Sequence, residues 1–337
     1  MPPGRDKGKD KIQVHIKNNR AGDLVFRTTP ERLASAEKRH PDVASQVETL
    51  IDWDLDRFDE SMQRAEVLMT WELPTANLKK RAPHLRWIHI IGAGVEHLAP
   101  FDWLPRGVTL TNNAGIHMEK TAEYVGMALH MLNHRMPKLY TDQRQGCWDA
   151  VYSTPIAGKT LAVIGVGKMG GAGARRAKKM GLRVLGIRRS GRPARYVDQM
   201  YRPDQLNRVL AEADFVIINT PLTPATEGMI GKTQLQKMKP GVGLINLGRG
   251  PVIDHEALTA SLHSGHLGGA ILDVTDPEPL PADSPLWDIP NLIITPHISS
   301  DDDVSYAPLT LDLLFDNLRR YIAGKPLKNR VNPRLGY

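Results

Sequence analysis

The sequence predicts an α/β fold built from two doubly wound domains, and three observations support this prediction. The chain has 337 residues, which is about twice the length of an ordinary domain. Hydrophobic residues make up 41% and charged residues 24%, values typical of globular proteins rather than of disordered or fibrous ones. Short apolar runs alternate with segments of helical spacing, which is the pattern of strands and helices in a parallel sheet.

The first half of the chain shows this alternation in an irregular form. Its predicted strands are 65–71, 86–91 and 108–111, and its predicted helices are 31–40 and 75–81. Apolar residues then recur at helical spacing from Thr121 to Leu139, and Pro137 comes only at the end of this segment. We therefore predict a single long, buried helix there.

From residue 159 the alternation becomes regular, which predicts a doubly wound parallel sheet. The predicted strands are 160–164, 183–187, 215–219, 243–246, 269–273 and 292–295, and the predicted helices are 170–180, 203–211, 232–238, 255–264 and 304–322. We predict one domain over residues 113–301, inserted in a discontinuous domain of residues 1–112 and 302–337.

The net charge of +7 is concentrated in two segments. The first twenty residues have a net charge of +4, and residues 175–195 hold nine basic side chains and no acid, so the remainder is mildly acidic. This distribution predicts neither nucleic acid nor a membrane as partner. The single cysteine, Cys147, excludes an intramolecular disulfide, and no apolar stretch is long enough for a membrane span. We expect a cytoplasmic protein with a frayed basic tail.

A glycine-rich motif follows the predicted strand 160–164 and opens the next helix. Its residues are Gly165-Val166-Gly167-Lys168-Met169-Gly170. The glycines allow a tight turn and let backbone N–H groups approach a pyrophosphate at the helix N-terminus. The alternative is a simple helix-capping turn, but the strand before and the helix after favour dinucleotide binding.

The end of the next strand indicates which dinucleotide is bound. An NAD-binding domain normally has an acidic residue there for the ribose hydroxyls, whereas this strand ends in Arg188, Arg189 and Ser190, with Arg192 following. Guanidinium groups bind a 2′-phosphate that a carboxylate would repel. The sequence therefore favours NADPH over NADH, with NAD as the less favoured cofactor. The alternative is a solvated basic face without a ligand.

The glycine loop is one of several motifs that follow one another along the chain. They are 165–184, Asn219-Thr220-Pro221-Leu222-Thr223-Pro224-Ala225-Thr226, Ile245-Asn246-Leu247-Gly248-Arg249-Gly250, Leu272-Asp273-Val274 with Glu278-Pro279-Leu280, and Thr295-Pro296-His297-Ile298. Over about residues 90–337 they resemble the D-isomer-specific 2-hydroxyacid dehydrogenases, and the basic strand end resembles the NADPH-preferring glyoxylate and hydroxypyruvate reductases. The resemblance implies a Rossmann dinucleotide-binding domain inserted in a discontinuous, flavodoxin-like substrate domain. It also implies a homodimer, because the helix 121–139 and the Trp148 segment look like the family's dimer arm.

Three residues are predicted to be catalytic, both from their chemistry and from this resemblance. Reduction of a 2-keto acid needs a cation for the substrate, a proton donor for the developing alkoxide and a group that keeps this donor charged. Arg249 and His297 follow strand ends, where open α/β sheets bind ligands, and Glu278 lies in the loop after another strand. We predict that Arg249 binds substrate, that His297 both contacts it and supplies the proton, and that Glu278 raises the pKa of His297.

The resemblance implies further contacts. Backbone N–H groups of the loop Gly92-Ala93-Gly94-Val95 would bind the substrate carboxylate, through Ala93, Gly94 and Val95, and Trp71 and Met69 would line the substrate pocket. The remaining cofactor contacts would be Thr121, Thr220, Pro221, Thr226, Leu247, Gly248 and Asp273, of which Asp273 would bond the nicotinamide carboxamide. Asn219 departs from the family, which often has histidine there, and Leu247-Gly248 replaces small or hydroxylated residues.

The sequence thus predicts an NADPH-dependent reductase of a small 2-keto acid, of glyoxylate or hydroxypyruvate type, that yields the D-2-hydroxy acid. Two alternatives stay open: a phosphite-type dehydrogenase on the same scaffold, and a non-catalytic co-regulator that senses dinucleotides. We predict no metal. Glu123, His130 and His134 have the spacing of ligands on one helix face, but polar residues on a surface helix explain them equally well.

Overall fold

The computed structural model describes residues 11–337, and the chain divides into two compact units. One unit contains the residues up to Ile116 together with Asp302–Tyr337, and the other contains His117–Asp301. Residues 1–10 of the basic tail lie outside the described residues. Between residues 11 and 337, no helix combines the length and the apolar character needed to cross a membrane.

The elements are numbered here in chain order. The strands are β1 (Ile12–Asn18), β2 (Val47–Trp53), β3 (Val67–Thr70), β4 (Trp87–Ile90), β5 (Thr109–Asn112), β6 (Thr160–Ile164), β7 (Arg183–Ile187), β8 (Gln199–Tyr201), β9 (Phe215–Ile218), β10 (Val242–Asn246), β11 (Leu267–Leu272) and β12 (Leu292–Ile294). The α-helices are α1 (Pro30–Arg39), α2 (Pro41–Ala44), α3 (Phe58–Met62), α4 (Leu78–Arg81), α5 (Met118–Asn133), α6 (Met136–Arg144), α7 (Lys168–Lys179), α8 (Leu206–Glu212), α9 (Lys232–Lys237), α10 (His255–His263) and α11 (Tyr306–Ile322).

The first unit is a five-stranded parallel sheet in the order β2-β1-β3-β4-β5. Because side chains alternate along a strand, Val14 and Ile16 pack on one face against α1 and α11, whereas Leu68 packs on the other face against α3. The sequence did not predict β1 or β2. Buried polar side chains, among them His15 of β1 and Asp52 of β2, interrupt their apolar pattern.

The second unit is a seven-stranded parallel sheet in the order β12-β11-β10-β9-β6-β7-β8, which confirms the predicted doubly wound topology. The chain builds the sheet outward from β6 to β8 and then returns to build β9 to β12 on the other side. The loops after β6 and β9 therefore diverge, and such a switch point is where open α/β sheets bind ligands. Edge strand β8 was not predicted, because it has only three residues and pairs only with β7.

The prediction of one helix from Thr121 to Leu139 was wrong, because the chain breaks between α5 and α6. Arg135 adopts a left-handed conformation with φ 57° at the break. Its guanidinium Nη1 donates a hydrogen bond of 3.0 Å to the Gly241 carbonyl, and a Cβ added at Gly268 would lie only 1.6 Å from this nitrogen. Pro137, in the first turn of α6, has no N–H to donate to the preceding turn and so favours a break. The Arg135 contact with glycines more than 100 residues away in sequence accompanies this break, and helical spacing cannot reveal it.

Candidate active site

The glycine-rich loop after β6 is shaped by two of its three glycines. Gly165 has φ +95°, and a Cβ there would lie 2.7 Å from the backbone of Asn219; a Cβ on Gly170 would lie 2.2 Å from the Gly165 carbonyl oxygen. A Cβ added at Gly167, in contrast, would have no atom within 4 Å, so packing does not require a glycine there. Open space in front of the N-terminus of α7 is what a pyrophosphate needs to approach the backbone.

The loop after β9 contributes polar atoms beside this glycine turn. Among the described residues, the buried Nδ2 of Asn219 and Oγ1 of Thr220 have no hydrogen-bond partner. Buried polar groups are normally paired, so atoms left unpaired in this loop are available to hydrogen-bond a ligand. A Cβ on Gly248 would lie 2.7 Å from the Thr220 carbonyl oxygen, which explains why the loop after β10 needs a glycine at this position. These donors and the N-terminus of α7 fit a dinucleotide.

Four residues with predicted roles in binding the 2′-phosphate lie together in the loop after β7. The Arg188 guanidinium, however, donates hydrogen bonds to the carbonyls of Arg192 (2.8 Å) and Pro193 (2.7 Å), so it closes this loop. Arg189 and Arg192 are exposed, and the Arg192 N–H donates to Ser190 Oγ at 3.4 Å. Sequence reasoning did not predict that Arg188 closes this loop, because the closure depends on how its side chain folds back onto the backbone.

His297 and Glu278 form a direct pair. His297 Nδ1 lies 2.8 Å from Glu278 Oε2, and the other carboxylate oxygen, Oε1, accepts from the Thr275 N–H at 3.0 Å. The side chains are 42% and 36% exposed. The carboxylate is thus oriented by its own loop, so it holds one imidazole nitrogen and leaves the other, Nε2, for a different partner.

The Arg249 loop is positioned by a buried asparagine and a glycine. Asn246, at the end of β10, donates through Nδ2 to the Arg249 carbonyl (3.0 Å) and accepts at Oδ1 from the Gly248 N–H (3.0 Å). A Cβ on Gly250 would lie 2.1 Å from the Thr275 carbonyl oxygen, so only glycine lets the two loops approach. Because Thr275 also orients Glu278, this contact brings the arginine loop next to the loop of the histidine's partner.

The charges in this cluster favour a protonated histidine. The hydrogen bond that His297 donates to Glu278 raises the pKa of His297, and this effect outweighs burial and the nearby Arg249 cation, which act in the opposite direction. Burial opposes ionisation of Glu278, but the hydrogen bond to His297, its charge and the Thr275 N–H together lower the pKa of this carboxyl. The pair is therefore suited to hold a proton on the imidazole.

Asp273 is 1% exposed and lies directly after β11. Its Oδ1 accepts from the Thr295 hydroxyl (2.7 Å) and from the Ile298 N–H (2.9 Å), and its Oδ2 accepts from the Ser299 N–H (3.0 Å). The sequence predicted only a contact with the nicotinamide for Asp273. The motif that contains Thr295 predicts no role for this residue, and nothing in the local pattern indicates its contact with Asp273.

In the first unit, the loop 92–95 lies beside an aromatic pair. A Cβ on Gly92 would lie 2.3 Å from the Trp71 ring, and His97 stacks on this ring at 4.0 Å between centroids. Trp71 also lines a cavity of about 620 Å³ within this unit. Met69, in contrast, is buried in the core of the sheet, so the prediction that it lines a pocket with Trp71 was wrong. Because β3 is covered on both faces, Met69 has no open side.

Some remaining predicted residues also lie in pairs. The Thr121 hydroxyl donates to Met169 Sδ at 3.7 Å, which places Thr121 beside the glycine loop, and Thr226 Oγ1 donates to the Pro221 carbonyl at 2.7 Å. His130 and His134 stack with ring centroids 6.4 Å apart. Within residues 11–337, no group of three or more His, Cys, Asp or Glu side chains is arranged to hold a metal ion.

Comparisons with known sequences agree with these motifs. The sequence profile described as the NAD binding domain of D-isomer specific 2-hydroxyacid dehydrogenases matches residues 125–299. A glyoxylate reductase from Korarchaeum cryptofilum is 32% identical over 273 residues, which cover 76% of this chain and 79% of the relative. Glyoxylate/hydroxypyruvate reductase B from Yersinia pestis is 34% identical over 261 residues, which cover 75% and 79%.

Solved structures extend the likeness over nearly the whole chain. A D-isomer specific 2-hydroxyacid dehydrogenase from Xanthobacter autotrophicus, in complex with NADPH and MES, has a TM-score of 0.82 and 29% identity, covering 98% of this chain and 100% of that one. An NADPH-dependent glyoxylate/hydroxypyruvate reductase from Sinorhizobium meliloti, in complex with NADP and sulfate, has a TM-score of 0.78 and 28% identity, covering 97% and 100%.

Proposed function

Since the chain belongs to the D-isomer specific 2-hydroxyacid dehydrogenases, a family of oxidoreductases, we propose that it reduces a small 2-keto acid to the D-2-hydroxy acid with NADPH. The observation on which this proposal rests is the pairing of His297 with Glu278 beside the Arg249 loop. The names of the relatives support glyoxylate or hydroxypyruvate as substrate, and the NADPH or NADP bound to the structural neighbours supports the cofactor.

The residues of this chain would act on the substrate in the following way. The chemistry that NADPH supplies when bound is the hydride that adds to the carbonyl carbon. Arg249 would bind the substrate carboxylate and polarise the carbonyl oxygen, because a guanidinium forms paired, charge-assisted hydrogen bonds. His297 would donate the Nε2 proton to the oxygen as negative charge develops there, and Glu278 would hold the imidazolium in place. In the first unit, the backbone N–H groups of residues 93–95 suit a carboxylate.

The residues that would hold the cofactor lie around the switch point of the second sheet. Gly165, Gly167, Lys168, Met169 and Gly170 would bind the pyrophosphate at the N-terminus of α7. Arg189 and Arg192 would bind the 2′-phosphate, in a loop that Arg188 closes. The further contacts would be Thr121, Ser190, Thr220, Pro221, Thr226, Leu247, Gly248 and Asp273, and the unpaired Nδ2 of Asn219 joins them.

A turnover assay tests the proposal against its alternatives. The purified protein is incubated with NADPH and, in turn, glyoxylate, hydroxypyruvate and pyruvate. The products from hydroxypyruvate and pyruvate, which unlike glycolate have a stereocentre, are analysed for their D configuration. We expect oxidation of NADPH with at least one of them. Reduction of NADP by phosphite without keto acid turnover would indicate a phosphite-type dehydrogenase. Dinucleotide binding without any turnover would indicate a co-regulator.

The pH dependence of the reaction tests the His297–Glu278 pair. Reduction needs a protonated His297, so kcat is expected to fall as pH rises through the pKa of the pair. Glu278→Gln removes the carboxylate that raises this pKa, and the falling limb is therefore expected to move to lower pH. Glu256→Gln, which changes an exposed glutamate at the start of α10, is the matched control. An unmoved limb in Glu278→Gln would show that Glu278 does not set the protonation state.

We also propose that the protein is a homodimer. Trp148 is 99% exposed and Tyr152 is 92% exposed, and such large apolar side chains in one exposed segment indicate an interaction surface. Trp148→Asp is expected to produce monomers in analytical ultracentrifugation, because a buried, unpaired charge destabilises an interface. Leu24→Asp changes an apolar side chain of the first unit that is 70% exposed, and this control is expected to leave the mass unchanged. A Trp148→Asp variant that sediments like the wild type would contradict this assignment.

A further inference from the structure

The segment that contains His297 is held in place by one buried residue, Asp273. Asp273 accepts hydrogen bonds from the Thr295 hydroxyl and from the N–H groups of Ile298 and Ser299, and its backbone carbonyl accepts from the His297 N–H at 2.9 Å. These four bonds bind the chain before, at and after His297. The position of the imidazole therefore depends on Asp273, although His297 reaches only its backbone.

The His297 backbone needs this support. Its φ is +54°, in the left-handed region that residues other than glycine seldom adopt. Such a conformation persists only where the surroundings determine it, and it is common at functional sites. The bonds to Asp273 are the surroundings that determine it here.

A tyrosine extends this network by one more hydrogen bond. The Tyr124 hydroxyl, from α5, lies 2.6 Å from Thr295 Oγ1. A carboxylate only accepts, so the single hydroxyl proton of Thr295 points to Asp273, and the Thr295 oxygen must accept from Tyr124. Burial raises the pKa of Tyr124 to about 12. The Asp273 charge also raises this pKa, whereas the hydrogen bond to Thr295 lowers it by a smaller amount. Tyr124 thus stays a donor at physiological pH.

We propose that Tyr124 and Thr295 are positioning residues for His297. The directed chain from the Tyr124 hydroxyl through the Thr295 hydroxyl to Asp273 orients the carboxylate that holds the 295–299 turn, and this turn keeps the imidazole on Glu278. The role in turnover rests on the proposed function, whereas the effect on the His297–Glu278 hydrogen bond does not. Besides Glu278, the charged groups that act on His297 are Arg249 and Asp273, and neither is changed in the test.

The test uses hydroxyl deletions in the full chain and two readouts. The variants are Tyr124→Phe and Thr295→Val, with Thr295→Ser as the conservative replacement that restores the hydroxyl. NMR titration of labelled histidine reports the pKa of His297 without cofactor or substrate, with the resonance assigned by its loss in His297→Gln. Steady-state kinetics gives kcat and the KM for NADPH. Thr141→Val is the matched control, because its Oγ1 also donates one hydrogen bond (to the Pro137 carbonyl, 3.0 Å) and accepts one (from the Asn291 N–H, 2.9 Å).

We expect Tyr124→Phe and Thr295→Val to lower the pKa of His297 and to reduce kcat by about ten- to a hundredfold, the effect of a small misplacement of a catalytic group. The KM for NADPH should rise much less than kcat falls, because Asp273, a proposed cofactor contact, keeps its hydrogen bonds from the Ile298 and Ser299 N–H groups. Such a split shows mainly a loss of transition-state stabilisation. Thr295→Ser and Thr141→Val should behave like the wild type.

Two results would overturn the positioning proposal, and a third would refute the proposed function alone. An unchanged His297 titration and kcat in both deletion variants would overturn the proposal, even if their melting temperatures fall. A Thr295→Ser variant as impaired as Thr295→Val would also overturn it, because the hydroxyl would then not be the cause. If the wild type reduced no keto acid but the His297 pKa still shifted in the deletion variants, the proposed function would be refuted and the positioning of His297 would be supported.

Discussion

His297→Ala and Arg249→Ala are each expected to lower kcat/KM for the keto acid by at least about a hundredfold, the lower range for loss of a general acid. His297→Ala removes the proton donor, and Arg249→Ala removes the cation that binds and polarises the substrate. Neither side chain lies in the glycine turn, so NADPH affinity, measured by fluorescence titration, should stay within about threefold of the wild type, less than 1 kcal/mol. Arg249→Lys should be only partly active, because an ammonium lacks the paired donors of a guanidinium.

Two matched variants control for unspecific effects. His263→Ala removes an exposed histidine at the end of α10, and Arg208→Ala removes an exposed arginine of α8 that pairs with Glu212. Both are expected to retain wild-type turnover. If His297→Ala or Arg249→Ala turned over like these controls, the residue concerned would have no catalytic role.

The second large effect concerns the choice of cofactor. The wild type is expected to prefer NADPH over NADH at least about tenfold, because charge-assisted bonds to a phosphate contribute roughly 1.5 to 3 kcal/mol and each 1.4 kcal/mol is a factor of ten. Arg188→Asp, alone or with Arg189→Ala, should shift the preference toward NADH with little change in kcat. It replaces a cation by an acceptor for the ribose hydroxyls, and it also releases the carbonyls of Arg192 and Pro193. Steady-state kinetics with both cofactors measures the shift.

Arg192→Ala separates charge from loop closure. This variant lacks the exposed guanidinium but keeps the backbone carbonyl that accepts from Arg188, so a raised KM for NADPH would reflect lost charge alone. Arg183→Ala is the matched control, since Arg183 lies at the opposite end of β7 and pairs with Glu212. A wild type that prefers NADH would show that Arg189 and Arg192 form only a solvated face. An Arg188→Asp variant with an unchanged KM for NADPH would show that Arg188 does not contribute to NADPH binding.

The sequence predicted most strands of the second unit because both faces of its sheet are covered, so each strand is a continuous apolar run. It also predicted the glycine turn, whose residues are adjacent in sequence and whose conformational needs are local. The same reasoning failed at the end of α5, where the helix breaks at Arg135, which contacts Gly241, and Pro137 opens α6. It failed again at β1, because His15 is polar but buried.

By itself, the sequence determined the doubly wound α/β fold, the family and the residue types that follow the strand ends. Each of these depends on local patterns: hydrophobic periodicity, turn glycines and the spacing of motifs. Only the tertiary structure decided that it is Nδ1 of His297 that lies 2.8 Å from Glu278 Oε2, that Arg188 closes its own loop and that Met69 lies in the core. The hydrogen bond between Tyr124 and Thr295, which lie 171 positions apart in sequence, was also visible only in the structure. The physical reason is that hydrogen bonds depend on distances of about 3 Å between side-chain atoms, and folding sets these distances without leaving a periodic trace in the sequence.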